Sequence, residues 1–175
     1  MTLFMRATKA GICSLLLMKM RQSRGWENDD YIGGDKMFGI RYVSVTDKPF
    51  WFTLDKHMSD SEFELKVRDR RGYIISANDK PIGVMRYNLF WDNTPFLTLI
   101  YIDEAYQGKG FGKQAMFHWE NEIHGLGYKM VMTSTQVDEQ AQHFYRKLGY
   151  KDSGCLILDY TPFGQPQEMF MIKTL

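Results

Sequence analysis

Gln107-Gly108-Lys109-Gly110-Phe111-Gly112 lies between an apolar run, Pro95 to Ile102, and an amphipathic run that begins at Gly112. Read in order, the three segments are strand, glycine loop and helix. A glycine-rich turn that feeds a helix N-terminus aims several backbone N–H groups one way, and the helix dipole adds positive potential there. A phosphate or pyrophosphate suits that geometry. Spacing excludes two other phosphate loops. A G-x-G-x-x-G dinucleotide fingerprint counted from Gly108 needs a glycine where Lys113 stands. A Walker A loop needs a glycine five residues before the Gly112-Lys113 pair and a Ser or Thr after it, and Gln107 and Gln114 occupy those places. With no hydroxyl there to hold magnesium, a nucleotide triphosphatase fits poorly; only magnesium-dependent ATP binding would revive it.

What fits is Q/R-x-x-G-x-G/A. A second block follows: Asp138-x-x-Ala141-x-x-Phe144-Tyr145-Arg146-Lys147-Leu148-Gly149-Tyr150. It is similar to N-x-x-A-x-x-F-Y-x-K-x-G-F/Y, and the interval leaves room for one helix and one strand. With both blocks in this order, the chain resembles the GNAT superfamily of acyl-CoA-dependent N-acyltransferases from about Met37 to its C-terminus.

The bulk numbers agree with one domain. The chain has 175 residues, 44% hydrophobic and 15% aromatic, enough for a core without staples. A net charge of +1 argues against a nucleic-acid surface. Cys13 and Cys155 stand far apart, no C-x-x-C occurs, and His57, His118, His124 and His143 show no H-E-x-x-H spacing. No metal is expected, and a reducing cytoplasmic compartment is the simplest setting.

Residues 1–36 differ from the rest. Arg6, Lys9, Lys19, Arg21 and Arg24 precede the first acid, Glu27, and flank an apolar run from Ala10 to Met18. That run is too short to span a bilayer, and no small-x-small cleavage site follows it. Two readings stay open: an extension produced by translation starting upstream of Met37, or an accessory helix. Trp26 to Lys36 reads as a linker. The expected organisation is an N-terminal extension, 1–36, and an acetyltransferase domain, 37–175.

From Phe38 the pattern sharpens. Ile40, Tyr42, Val43 and Val45 suggest a first strand, and Thr46 or Asp47 caps a short helix with Pro49 in its first turn. Ser59-Asp60-Ser61-Glu62 is a capping box, with Met58 and Phe63 as its hydrophobic staple, for a helix running to about Asp69. Strands are expected at Tyr73–Ala77, Ile82–Trp91 and up to Ile102, joined by turns at Asn78–Pro81 and Asp92–Pro95. The helix after the loop spaces Ala115, Met116, Trp119, Ile123 and Leu126 by threes and fours, and Gly125 and Gly127 end it. Met130–Thr135 is a fifth strand, parallel to the fourth because a helix connects them. Asp138–Leu148 is the last helix, followed by strands at Cys155–Tyr160 and Glu168–Lys173 with a loop between. The sum is a mixed α/β fold of about seven strands and four helices, with strands one to four antiparallel and a βαβ crossover from four to five. The resemblance implies the same order.

Acyl transfer to an amine requires a held donor, a stabilised oxyanion and two proton movements. The backbone N–H groups of Gly108 to Gly112, a span that includes Lys109, Gly110 and Phe111, are candidates for the pyrophosphate of acetyl-CoA, within the loop that begins at Gln107. Lys109 and Lys113 add charge, or are solvated surface lysines. The resemblance implies that the pantetheine arm lies in a gap between strands four and five. Ile100 and Ile102 would then make main-chain contacts and strand four would supply the oxyanion donor; as side chains these isoleucines are simply core. The resemblance also implies that Tyr145 is the general acid for the leaving thiolate, a role open to a phenol with a reference pKa of about 10. Asp138 stands where the family usually has Asn reaching the cofactor arm; an ionised Asp cannot donate a hydrogen bond, so capping the last helix is the favoured role. No carboxylate occurs in Val131–Thr135, where some relatives carry a glutamate. Asp92 or an ordered water remains for the general base. Phe50, Trp51, Tyr87, Phe90, Trp91 and Tyr160 are the aromatics near the expected acceptor pocket, with core filling as their rival role.

The resulting expectation is an N-acetyltransferase acting by direct attack on a primary amine, of a small molecule or a peptide, without nucleic-acid or membrane partners. Homodimerisation is implied by the resemblance. The alternative is a non-catalytic acyl-CoA-binding module, suggested by Asp138 and the missing strand-five acid.

Overall fold

The computed structural model describes residues 37–159, 162 and 164–175. The readings of 1–36 as extension, linker or helix, and of Tyr160 as a pocket aromatic, lie outside the described residues.

The elements follow in the order β1 (Phe38–Tyr42), α1 (Lys48–Leu54), α2 (Asp60–Arg68), β2 (Gly72–Ala77), β3 (Lys80–Phe90), β4 (Thr94–Ile102), α3 (Phe111–Gly125), β5 (Met130–Gln136), α4 (Ala141–Lys147), β6 (Lys151–Leu156) and β7 (Glu168–Thr174). The seven strands make one sheet in the order β1-β2-β3-β4-β5-β7-β6. β1 to β4 are antiparallel, and β4 and β5 run parallel.

Local chemistry explains most boundaries. Ser59 Oγ accepts from the Glu62 backbone N–H, and Met58 and Phe63 are both buried beside that cap, so α2 starts where the capping box puts it. Asn78 and Asp79 both have positive φ, 50° and 62°, the backbone a two-residue hairpin needs between β2 and β3. α3 ends on a Schellman motif: Gly127 N–H bonds the His124 carbonyl, Tyr128 N–H bonds the Ile123 carbonyl, and Gly127 has φ 94°.

Four expectations need correction. The first strand stops at Tyr42, and Val45 belongs to a 3-10 turn, Val45–Asp47. Leu126 does not join the buried stripe of α3; it follows the last helical residue and is 63% exposed. Glu120 is the buried polar residue on that helix, ion-paired to Lys173 at 2.6 Å. The last helix begins at Ala141, not Asp138. β6 spans Lys151–Leu156, earlier than Cys155–Tyr160, and every one of its side chains is exposed. A strand with two wet faces carries no alternation to read.

The sheet has an apolar layer on each face. α3 and α4 cover one, burying Met116, Trp119, Ile123, Ala141 and Tyr145 against Leu97, Ile100, Val131, Met169 and Met171. α1 and α2 cover part of the other, burying Trp51 and Phe63 against Ile74, Val84 and Leu99. No described helix is long and apolar enough to cross a membrane.

Candidate active site

The site begins with a register change. Arg86 pairs with Leu99 and Tyr87 with Leu97, so Thr98 is an extra residue in β4. This bulge reverses the alternation along β4: Leu97 and Ile100, three apart, both face α3, while Leu99 faces α1. At the same point β4 leaves β5. Their register holds Phe96 opposite Met132 and Leu97 opposite Thr133, and then stops. Thr133 Oγ1 donates to the Leu97 carbonyl at 3.2 Å at this last rung. Thr98 to Ile102 and Ser134 to Gln136 therefore form the two arms of a fork.

The bulge is pinned from the α1 side. Arg86 Nη1 donates to Thr98 Oγ1 at 2.9 Å, and Thr98 Oγ1 bonds the Arg86 carbonyl at 3.2 Å. Arg86 Nε donates to the buried Asp55 carboxylate, which also accepts from Trp51 Nε1. Ile100 and Ile102 bury their side chains toward α3, so only their main chain is left for the fork.

Beyond Ile102 the chain makes a 3-10 turn, Glu104–Tyr106, capped by Asp103 Oδ1 accepting from the Ala105 N–H. Gln107 Nε2 donates to the Ile102 carbonyl at 2.8 Å, which ties the loop to the end of β4. Gly108 and Gly110 have φ of 73° and 84°, and a Cβ on Gly108 would meet nothing within 4 Å, so an open backbone cradle precedes α3. Gly110 is the N-cap residue and offers no side chain, and the first helical bond runs from the Gln114 N–H to the Gly110 carbonyl. The N–H groups of Phe111, Gly112 and Lys113 thus point out of the helix end, the arrangement a pyrophosphate requires. Phe111 itself is a core anchor, edge-on to Tyr106. Gly112 faces Phe144 of α4, with a would-be Cβ 3.6 Å from its ring. The two lysines lie back on the protein: Lys109 Nζ donates to the Ala105 carbonyl at 2.5 Å and sits 5.4 Å from the Tyr106 ring centre, and Lys113 Nζ sits 5.5 Å from that of Phe117.

Tyr145 is fully buried in the α3–α4 layer, its ring against Phe144 and Tyr150. Asp138 is exposed in the β5–α4 turn. The N-cap of α4 is Gln140, without a side-chain cap bond, so the expected capping role of Asp138 is overturned. The turn uses three residues more before the chain becomes helical than the motif spacing suggests.

The expected acceptor aromatics divide. Trp51 and Tyr87 are core. Phe50 is half-buried and lines an open cleft of about 500 Å³ with Lys80, Pro81, Asp103, Ala105 and Tyr106. Phe90 is half-buried and packs with Phe96 and Phe170 at ring separations of 5.9 and 6.3 Å. Trp91 is 77% exposed in the β3–β4 turn, beside exposed Asp92 at φ 62°. Three polar residues on or beside β5 go unmarked by any motif. Ser134, on the β5 arm, has no hydrogen-bond partner for Oγ among the described residues. Glu168, at the start of β7, receives a bond from Gln165 Nε2 at 3.2 Å. Glu139, in the β5–α4 turn, accepts from Thr135 Oγ1 at 2.7 Å, and burial raises its carboxyl above the usual range.

The sequence model described as the Acetyltransferase (GNAT) family matches residues 39–150, and the chain belongs to this family. Solved structures share the fold. The ribosomal-protein-S18-alanine N-acetyltransferase of Escherichia coli superposes with a TM-score of 0.67 at 20% identity, covering 79% of this chain and 94% of that one. Naa50 of Arabidopsis thaliana, in complex with the bisubstrate analogue CoA-Ac-MVNAL, gives 0.67 at 13% identity over 79% and 99%. A GNAT family acetyltransferase from Elizabethkingia anophelis with acetyl-CoA bound gives 0.63 at 16% over 79% and 98%. A search of curated proteins finds no match.

Proposed function

We propose that this acetyltransferase moves an acetyl group from acetyl-CoA to a primary amine by direct attack. The observation that carries the reading is the coincidence of fork and cradle: β4 parts from β5 at the Thr98 bulge and leads, through the Glu104–Tyr106 turn, to the Gly110-capped start of α3. Main-chain groups of Thr98 to Ile102 that point away from β3, other than the Ile102 carbonyl held by Gln107, are available to an extended pantetheine arm and to the thioester oxygen. The amides from Gly108 through Lys113 hold the pyrophosphate. Gln107 holds the loop and Phe111 anchors it to the core. Lys109 and Lys113 contribute long-range attraction, since both are turned onto neighbouring aromatic rings.

In the reaction the neutral amine nitrogen attacks the thioester carbonyl and gives up a proton to water, the C–S bond breaks, and the thiolate takes a proton from Tyr145, which takes one back from water. The support for Tyr145 is its place in the second sequence block and its burial in the same layer as Leu97 and Ile100 of β4. Among the relatives, one acts on a ribosomal-protein alanine and another holds a peptide-bearing analogue, so a peptide N-terminus stands beside a small amine as the acceptor.

The test is calorimetric titration with acetyl-CoA and, separately, ATP with magnesium, followed by free-thiol release over an amine panel. Acetyl-CoA binding with silent ATP is expected. Failure of a folded sample to bind acetyl-CoA would overturn the reading. Binding without turnover on any amine, unchanged in Tyr145→Phe, would favour a non-catalytic acyl-CoA module.

A further inference from the structure

Residues opposite one another in neighbouring strands share a sheet face, and so do residues two apart along a strand. Val84 of β3 packs in the layer under α1 and α2, and Arg86, Asn88 and Phe90 follow it at steps of two. Asn88 is opposite Phe96, Phe96 is opposite Met132, and Ser134 is two residues beyond Met132. The α1–α2 face of the sheet therefore carries Arg86, Asn88 and Ser134, with the fork opening between the β3 pair and Ser134. Tyr145 stands in the layer on the other face. One more side chain reaches this face from α2: Lys66 Nζ donates to Asn88 Oδ1 at 2.5 Å.

We propose that Lys66 and Arg86 receive a carboxylate carried by the acceptor, so that the substrate of this acetyltransferase is an amino acid whose nitrogen enters the fork beside Ser134. The proposal rests on the acetyl-CoA reading above and narrows its acceptor to a small amine with its own carboxylate. Arg86 supplies the first argument. Its Nε and Nη1 are engaged by Asp55 and Thr98, Nη2 bonds nothing among the described residues, and the side chain stays partly open. Because Nη1 reaches Thr98, the first β4 residue past the last rung, the guanidinium stands at the mouth of the fork. Lys66 supplies the second. Its side chain is only 6% exposed, yet the one described carboxylate within 4 Å is half-exposed Glu62 at 3.6 Å, and its other bond goes to a neutral amide. Asp69, just past the end of α2, is taken by Arg68 at 2.7 Å. A buried cation with so loose a counter-ion is costly until an anion completes it. Burial, with Arg86 and Arg71 nearby, accordingly pushes the Lys66 ammonium below its ordinary value against the pull of Glu62. Ser134 supplies the third, a fully buried hydroxyl across the fork without a described partner, which an acceptor N–H satisfies. Two cations on one side of the opening and a hydroxyl on the other match the two ends of an amino acid. The carboxylate takes charge-assisted hydrogen bonds, and the nitrogen is left facing the thioester.

The full chain is assayed by thiol release with amino acids, each set beside the amine that lacks its carboxylate: phenylalanine with phenethylamine, leucine with isopentylamine, 4-aminobutyrate with propylamine. At least one amino acid should exceed its plain amine by about tenfold or more in kcat/KM. Lys66→Met keeps the length of the side chain and removes its charge, and should raise KM for the amino acid about tenfold more than KM for the plain amine. Glu62→Gln removes the carboxylate that competes for Lys66, and should lower KM for the amino acid. Opposite shifts from two residues of one helix are not what loosened packing produces. Ser134→Ala should raise KM for both members of a pair. Arg86 is left intact because it also pins the Thr98 bulge. Should Lys66→Met not fold, Glu62→Gln and the paired preference decide. A preference for the plain amines, equal effects of Lys66→Met on both members of every pair, or no turnover of any of the amino acids by a protein that binds acetyl-CoA would each overturn the proposal. Failure to bind acetyl-CoA at all strikes the underlying reading instead.

Discussion

Arg86 Nε donates to Asp55 Oδ2 at 2.7 Å, and the carboxylate is only 1% exposed. The same guanidinium bonds Thr98 Oγ1, so the end of α1 and the bulge in β4 form one network. Removing the carboxylate leaves a largely buried cation without its partner. Asp55→Ala should therefore cost about 3 kcal/mol of folding stability. Urea unfolding measures it, and a loss below about 1 kcal/mol would show that water replaces the pair. Acetyl-CoA affinity should fall as well, because the bulge sets where the fork opens.

Gly110 and Gly112 should separate folding from binding. At φ 84°, Gly110→Ala forces a side chain into the left-handed region, at about 1–2 kcal/mol. Gly112→Ala meets Phe144 at ordinary contact distance and lies inside a helix, so unfolding should change little or improve by about 1 kcal/mol. On the proposed reading its methyl group stands beside amides that take the pyrophosphate, and acetyl-CoA affinity should drop. Unchanged affinity in both variants would remove the loop from the binding site.

Tyr145→Phe keeps the ring contacts to Phe144 and Tyr150 and deletes only the hydroxyl. The Kd for acetyl-CoA should hold and stability should fall by no more than about 1 kcal/mol, the usual worth of one hydroxyl bond, while kcat falls by about 100-fold or more. A variant that turns over at the original rate would leave Tyr145 as core and nothing else.

Asp47 makes an acid-side stability prediction. A bidentate hydrogen bond from Arg41 holds its carboxyl down to about 2, helped by the hydroxyl and N–H of Ser44 and opposed by partial burial. A depressed carboxyl contributes stability that is complete above its unfolded value of about 4 and is lost as pH falls through about 2. Because Arg41 is more than half exposed, the contribution is about 1 kcal/mol. Asp47→Asn should flatten the stability profile between those limits, read by urea midpoints at stepped pH.

The sheet order was legible because its signals are local. Ser59 with Glu62 starts a helix and Asn78-Asp79 makes a hairpin, whatever the rest of the chain does. The fork was not legible. It arises from one additional residue, Thr98, in a run of apolar and β-branched side chains that reads the same with or without a bulge, and its contacts are main-chain. Asp138 misled because a capping residue and a turn residue have the same composition. Lys66, Arg86 and Ser134 escaped notice because they stand in a helix and two strands far apart in the chain, and only the fold places them on one side of the sheet. β6 was misplaced because Lys151 to Gly154 gives no apolar rhythm.

Two described rungs, Phe96 with Met132 and Leu97 with Thr133, join β1–β4 to β5–β7. The sheet is thus two half-sheets sewn together at one end, and an extended arm lying in the fork would act as a missing strand. On the proposed reading, the thioester is mortar as well as reagent. A donor at a hundred times its Kd adds about 2.7 kcal/mol to the folded state. The lifetime of the folded chain in a cell would then rise and fall with the supply of activated acetyl groups, and a melting curve taken without the donor describes a looser molecule than the one that works.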